Sequence, residues 1–144
     1  MSRDKINQIY EAARGTNRAY EIWAEKYGLT MYEMQIYYVM LENGSQAITQ
    51  KELCTQLDAP KTSINSIIKR QLNAGRIEMS VNPDNKREKI IVLTKEGKAL
   101  AEKVILPLFD CEQKAAEKIS DKKLETAIEV QTAFAKNLLD AIGE

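Results

Sequence analysis

Residues 49–94 read TQKELCTQLDAPKTSINSIIKRQLNAGRIEMSVNPDNKREKIIVLT, and their reading decides the architecture. Thr49-Gln50-Lys51-Glu52 has the spacing of a capping box, in which a hydroxyl accepts a freed amide at the helix start and a carboxylate three residues on reaches back. It opens a short helix with Leu53, Cys54 and Leu57 inward. Asp58-Ala59 makes the connection. Pro60 suits the first turn of a second helix, where its missing amide costs nothing. That helix extends to about Ala74, with Ile64, Ile67, Ile68 and Leu72 on the buried side. Gly75 stands where a helix-ending residue with positive φ is wanted. The period then changes. Ile77, Met79 and Val81 alternate with Glu78 and Ser80, Asn82 to Lys86 is a turn cluster, and Ile90-Ile91-Val92-Leu93 is apolar and mostly β-branched. Such a pattern predicts a hairpin, with Lys86, Arg87 and Lys89 in or beside its tip.

Outward from this stretch, Ile6, Ile9, Tyr10, Ala13, Tyr20, Trp23, Ala24 and Tyr27 fall on one stripe at three- and four-residue spacing. They predict a long amphipathic helix over 4–27, stopped by Gly28. Thr30-Met31-Tyr32-Glu33 reads as a second capping box, opening a helix that reaches about Leu41 and ends at Asn43-Gly44-Ser45. On the other side Thr94 caps a helix whose stripe is Leu100, Val104, Leu108, Cys111, Ala115 and Ile119. Pro107 should kink or divide it. Ser120-Asp121 starts a last helix, with Leu124, Ile128, Gln131, Ala135, Leu138 and Ile142 in a heptad-like seam. No internal repeat and no low-complexity linker is found.

Composition narrows the function. The chain has 144 residues, 44% apolar and 29% charged, within the range of one ordinary globular domain. The apolar runs are far too short for a membrane span, and the start lacks a secretory pattern, so a cytoplasmic protein with no membrane partner is expected. Cys54 and Cys111 make no disulfide framework. Histidine is absent, which removes the commonest general base and the usual ligands of catalytic zinc. There is no Gly-rich phosphate loop, and the carboxylates are scattered over helix surfaces. The expectation is therefore no enzyme, no metal and no cofactor.

A short helix, a tight turn, a second helix and a hairpin with a basic tip make a winged helix-turn-helix. The fold class expected is mainly α, with a small β-hairpin wing and flanking N- and C-terminal helices. The second helix of such a pair fits the major groove of B-DNA, with its N-terminal residues near base edges. Net charge is zero overall, so charge is read locally. Residues 60–89 hold seven basic side chains against three acidic, a net of +4, and 60–76 contain no acid. Phosphate binding needs such a local excess. Lys61, Thr62, Ser63, Asn65 and Ser66 are small or hydrogen-bonding side chains suited to base edges, with Asn65 a candidate for adenine and Lys61 for guanine. Lys69 and Arg70 lie a turn later, better placed for phosphates. Gln50, Lys51, Lys86, Arg87 and Lys89 complete the expected DNA-contacting set. The alternative is a winged helix that serves only as a protein-interaction module. Its mark would be an apolar or acidic face, whereas this one is polar and basic.

The chain resembles the MarR family of bacterial regulators over nearly all its length. The resemblance is carried by Leu29-Thr30, by Thr49 to Leu53, by Pro60 to Gly75, and most specifically by Asn85 to Gly97. That last run is similar to the family's Asp-x-Arg, strand and Leu-Thr-x-x-Gly. The resemblance implies one domain over 1–144, with the winged core at about 30–97 and dimerisation helices at 4–27 and 98–143. It also implies a homodimeric repressor on a pseudo-palindromic operator, with half-sites about one helical turn, roughly 10 bp, apart. Arg87 is then the wing arginine that enters the minor groove. Two positions depart from the pattern: Asn85 replaces an aspartate that braces the wing, and Gln71 replaces an apolar core residue. The family often binds small aromatic anions, which makes Tyr20, Trp23, Tyr27, Tyr37 and Tyr38 candidates for a ligand cleft, although packing of the dimer core is the favoured account of them. Relatives that sense oxidants use a thiol near the N-terminus, where this chain has none. Cys54 is expected to be a small buried core residue, Cys111 is open to being a thiol at the dimer interface, and core packing is favoured over sensing for each.

Overall fold

The computed structural model describes residues 3–44 and 47–143. In chain order the elements are α1 (Arg3–Lys26), α2 (Met31–Glu42), β1 (Ile48–Thr49), α3 (Gln50–Leu57), α4 (Lys61–Asn73), β2 (Ile77–Asn82), β3 (Asn85–Leu93), α5 (Lys95–Glu117) and α6 (Asp121–Ile142). The chain forms two compact units, residues 1–107 and residues 108–144.

In the first unit the core sits under the helix-turn-helix. Ile36, Val39 and Met40 of α2, Leu53 of α3, and Ile64, Ile67 and Ile68 of α4 close around Ile48, Ile77 and Ile91 of the sheet. Each helix contributes the positions its 3.6 period places on one face. The sheet order is β1-β3-β2, antiparallel throughout. Its turn is Pro83-Asp84, and a register shift at Val81/Asn82 bends the hairpin near its tip. Strand β1 has no signal in the sequence: two residues are too few to show a period, and Ile48 and Thr49 become a strand by pairing with Ile91 and Ile90.

The helix starts follow their caps, with differences. Thr49 and Glu52 form the full reciprocal box. Thr30 accepts the Glu33 amide at 3.2 Å, but the Glu33 carboxylate does not reach back, because Arg70 and Gln71 hold it in the interior. The second expected box is therefore a single cap. Pro60 sits at the N-cap of α4 rather than within its first turn, and it makes no side-chain cap bond. Helix α2 ends at Asn43-Gly44; Ser45 lies outside the described residues. Helix α5 runs unbroken through Pro107, so the proline does not divide it. The donor that proline lacks faces the Lys103 carbonyl, and both residues are exposed, where water can take that acceptor.

Two glycines have physical reasons. Gly75 ends α4 at φ +73°. Gly97, in the first turn of α5, approaches the Arg76 backbone so closely that a Cβ would lie 1.8 Å from its carbonyl oxygen. Thr94 ties the same corner, donating to the Gly75 carbonyl at 2.6 Å and accepting the Gly97 amide at 3.1 Å. The Leu-Thr-x-x-Gly run thus clamps the far end of the hairpin to the end of α4.

In the second unit, α6 starts at Ser120, which accepts the Lys123 amide. No residue of α6 is buried, and Ile128 and Ile142 are each 66% exposed. Among the described residues no helix is long and apolar enough to cross a membrane.

Candidate nucleic-acid interface

Helices α3 and α4 are joined by a turn at Asp58, whose φ of 47° is left-handed. Aspartate tolerates that region better than most residues. The turn sets α4 across α3, and β3 carries the wing beside both. Between them lies a groove of about 670 Å³. Helix α3 contributes Gln50, Lys51, Cys54 and Thr55; α4 contributes Lys61, Asn65 and Lys69; the hairpin contributes Met79, Arg87, Glu88 and Lys89. Five cations and one anion line it. Its field is positive, and a concave wall with low-dielectric protein behind it focuses that field.

Of the residues singled out from the sequence, Gln50, Lys51, Lys61, Asn65, Lys69, Arg87 and Lys89 meet in this groove. Thr62, Ser66 and Lys86 are exposed outside its walls, and Ser63 is half-buried. Arg70 turns towards α2 and pairs with Glu33 at 3.3 Å. The groove also holds Cys54, Thr55, Met79 and Glu88, which sequence reasoning did not select. Met79 was legible only as one member of a strand alternation. Cys54 is half-buried, packs against the core cluster and also lines this wall. Cys111 is exposed.

Within the groove Gln50 Nε2 donates to Asn65 Oδ1, linking the start of α3 to the reading face of α4. The wing is braced by side-chain amides. Asn85 Oδ1 accepts the Arg87 amide at 3.1 Å, Asn82 Oδ1 accepts the Asp84 amide at 3.0 Å, and Asn82 Nδ2 donates to Glu88 at 3.0 Å. Asparagine at 85 therefore holds the loop through a backbone bond rather than an ion pair.

Beneath α4 lies a polar cluster. Tyr37 Oη donates to Gln71 Oε1, Arg76 donates to the same oxygen at 3.3 Å, and Gln71 Nε2 donates to Glu33 at 3.2 Å. Gln71 is buried as an apolar residue would be, and its amide is satisfied on both sides. Burial pushes the Tyr37 phenol up to about 12, against a smaller opposing pull from Arg76.

The five aromatic candidates have different surroundings. Tyr20 and Tyr38 share a cleft of about 250 Å³ with Asn17, Met31, Met34 and Gln35. Trp23, Tyr27 and Tyr37 are not among its walls. Trp23 donates to the Val104 carbonyl at 2.8 Å, packs on Tyr27 at 5.4 Å, and has the Lys26 ammonium 4.8 Å from its ring centre. Tyr37 is wholly buried. The i, i+3 and i, i+4 spacings put the α1 rings on one stripe, but neighbouring elements claim different members of it. Among the described residues no group of acidic or thiol side chains could hold a metal ion.

Comparison with known proteins agrees with this geometry. The family model described as "Sugar-specific transcriptional regulator TrmB" matches residues 24–90, the core and wing. The HTH-type transcriptional regulator YwoH of Bacillus subtilis is 27% identical over 125 residues, 87% of this chain and 89% of that one. Among solved structures, a MarR family regulator from Neisseria meningitidis superposes with a TM-score of 0.82 at 20% identity, covering 99% of this chain and 97% of that one. Reduced AbfR bound to DNA superposes at 0.68 and 20% identity, covering 96% and 99%; NadR in complex with 4-hydroxyphenylacetate superposes at 0.73 and 19%, covering 90% of each. The chain is a winged-helix protein. Its particular fold is that of the MarR family of transcriptional regulators, as the resemblance implied.

Proposed function

We propose that the chain is a sequence-specific, double-stranded-DNA-binding transcriptional regulator. The observation that carries this reading is the groove between α3, α4 and the wing, in which five cations from three elements converge beside hydrogen-bonding side chains. Lys61, Asn65 and Gln50 face base edges. Lys51, Lys69 and Lys89 neutralise phosphates, with Thr62, Ser63, Ser66, Arg70 and Lys86 at the margins. Arg87 enters the minor groove. AbfR, with the same fold, has been seen on DNA.

The working form is a homodimer. Ile128, Val130, Leu138, Leu139 and Ile142 of α6 are exposed, and a second copy would cover them. Two-fold symmetry then calls for a pseudo-palindromic operator. A dimer seated on a promoter blocks polymerase, so the protein acts in the cytoplasm as a repressor. A small aromatic ligand in the Tyr20–Tyr38 cleft relieves repression, a reading supported by NadR, whose structure holds 4-hydroxyphenylacetate.

The test is a fluorescence-anisotropy titration with the duplex upstream of the protein's own gene and a scrambled duplex of equal length, at several salt concentrations. Tight, salt-sensitive binding that prefers the upstream duplex is the expected outcome. Absence of binding at low salt would overturn the reading and leave a protein-interaction module in its place.

A further inference from the structure

Gln50 and Asn65 stand fifteen residues apart in the chain, yet their amides are bonded to each other in the wall of the basic groove. Both are half-buried, which limits the ways each can turn. A primary amide carries one acceptor oxygen and one NH2 group. The bond takes one N–H of Gln50 and one lone pair of the Asn65 oxygen and fixes both amides, with Gln50 Oε1 and Asn65 Nδ2 outside it as an acceptor and a donor that a ligand can use. The pair therefore presents one acceptor and one donor side by side. Turning both amides over exchanges which residue donates and leaves the same pattern.

In the major groove adenine offers the complement on a single base, a donor at N6 and an acceptor at N7. Guanine shows two acceptors, cytosine a donor and thymine an acceptor. Resting on the DNA-binding reading, the geometry points to a composite reader: Gln50 and Asn65 together recognise one adenine in each half-site. Gln50 Oε1 accepts from N6, and Asn65 Nδ2 donates to N7. The bond between them divides over two helices the bidentate contact that the sequence suggested for Asn65 alone. Gln50, at the first position of α3, becomes a specificity residue.

Binding sites would be selected from a randomised duplex pool by the full-length protein. Affinities would then be measured for the preferred duplex and for every single-base-pair change, with Gln50→Ala, Asn65→Ala and the double variant. The expected result is one A·T pair per half-site at which the protein discriminates by about 5- to 150-fold, the range for a good bidentate contact. Each single variant loses that discrimination at the same base pair, and the double variant loses no more than either single. Gln50→Glu keeps the size and the acceptor but removes a donor; its preference there moves from adenine towards cytosine, whose N4 donates. Relaxation at two different base pairs, losses that multiply, or an unchanged preference in Gln50→Ala each overturn the composite reader while leaving DNA binding intact. If the unaltered protein selects no sequence, the DNA-binding reading falls and this inference with it.

Discussion

Tyr37 of α2 and Gln71 of α4 are joined by a hydrogen bond in the interior, Tyr37 at 0% and Gln71 at 2% exposure. The bond ties the C-terminal half of the candidate recognition helix to the helix that supports it. Glu33 and Arg76 complete the cluster, so each partner depends on the others.

Gln71→Leu should therefore destabilise the fold even though leucine suits the site's burial. It leaves the Tyr37 hydroxyl and one Glu33 oxygen without their partner, at a cost of roughly 1–3 kcal/mol. Tyr37→Phe should cost less, and the double variant should cost less than the two singles together. Urea denaturation of the four proteins reads the coupling; strictly additive losses would mean the bond contributes nothing of its own.

The Tyr37 phenol, held at about 12 against an ordinary value near 10, gives a signed pH dependence. The unfolded chain gives up this proton first. Its contribution to stability is complete below about pH 10 and is lost as pH rises through about 12. An ultraviolet absorbance titration should show a late tyrosine step, and Tyr37→Phe should remove it. A late step that survives the substitution belongs to another ring.

Gly97→Ala places a methyl group 1.8 Å from the Arg76 carbonyl oxygen, and backbone must move to admit it. The expected loss is about 1–3 kcal/mol in thermal or urea unfolding. Because the same corner anchors the hairpin, DNA affinity should fall as well. A variant as stable as the parent would show that the corner gives way freely.

Arg87→Ala should weaken DNA binding strongly and leave the oligomeric state unchanged. Lys69→Ala should weaken all duplexes alike and flatten the salt dependence by about one unit if it meets one phosphate. A sequence-selective loss from Lys69→Ala would place that side chain on bases.

The exposed seam of α6 predicts assembly. Burying an isoleucine contributes roughly 1.5–3 kcal/mol. Ile128→Glu should then weaken self-association by at least about tenfold, as read by analytical ultracentrifugation. A monomer at all concentrations in the parent protein would remove the dimer.

Local chemistry is written in adjacent residues, and that is where sequence reading succeeded. Thr49 with Glu52, Thr94 with Gly97, and Gly75 after α4 are each set by backbone rules that act within a turn or two. The order of short helix, turn, helix and hairpin follows from apolar period together with caps and turn residues, and most of the basic groove is visible as a charge excess within 60–89. What the tertiary structure decided involves partners far apart in the chain. Strand β1 exists because Ile91 and Ile90 pair with it. Glu33 leaves its own helix cap for Gln71, thirty-eight residues away. Arg70 pairs with Glu33 instead of lining the groove, the five aromatic rings divide among separate neighbours, and Gln50 meets Asn65 across two helices. Period and caps specify which face of an element is buried, but not which polar atom on a neighbouring element will meet it. That choice is made when the elements pack, because each buried donor and acceptor must then find a partner.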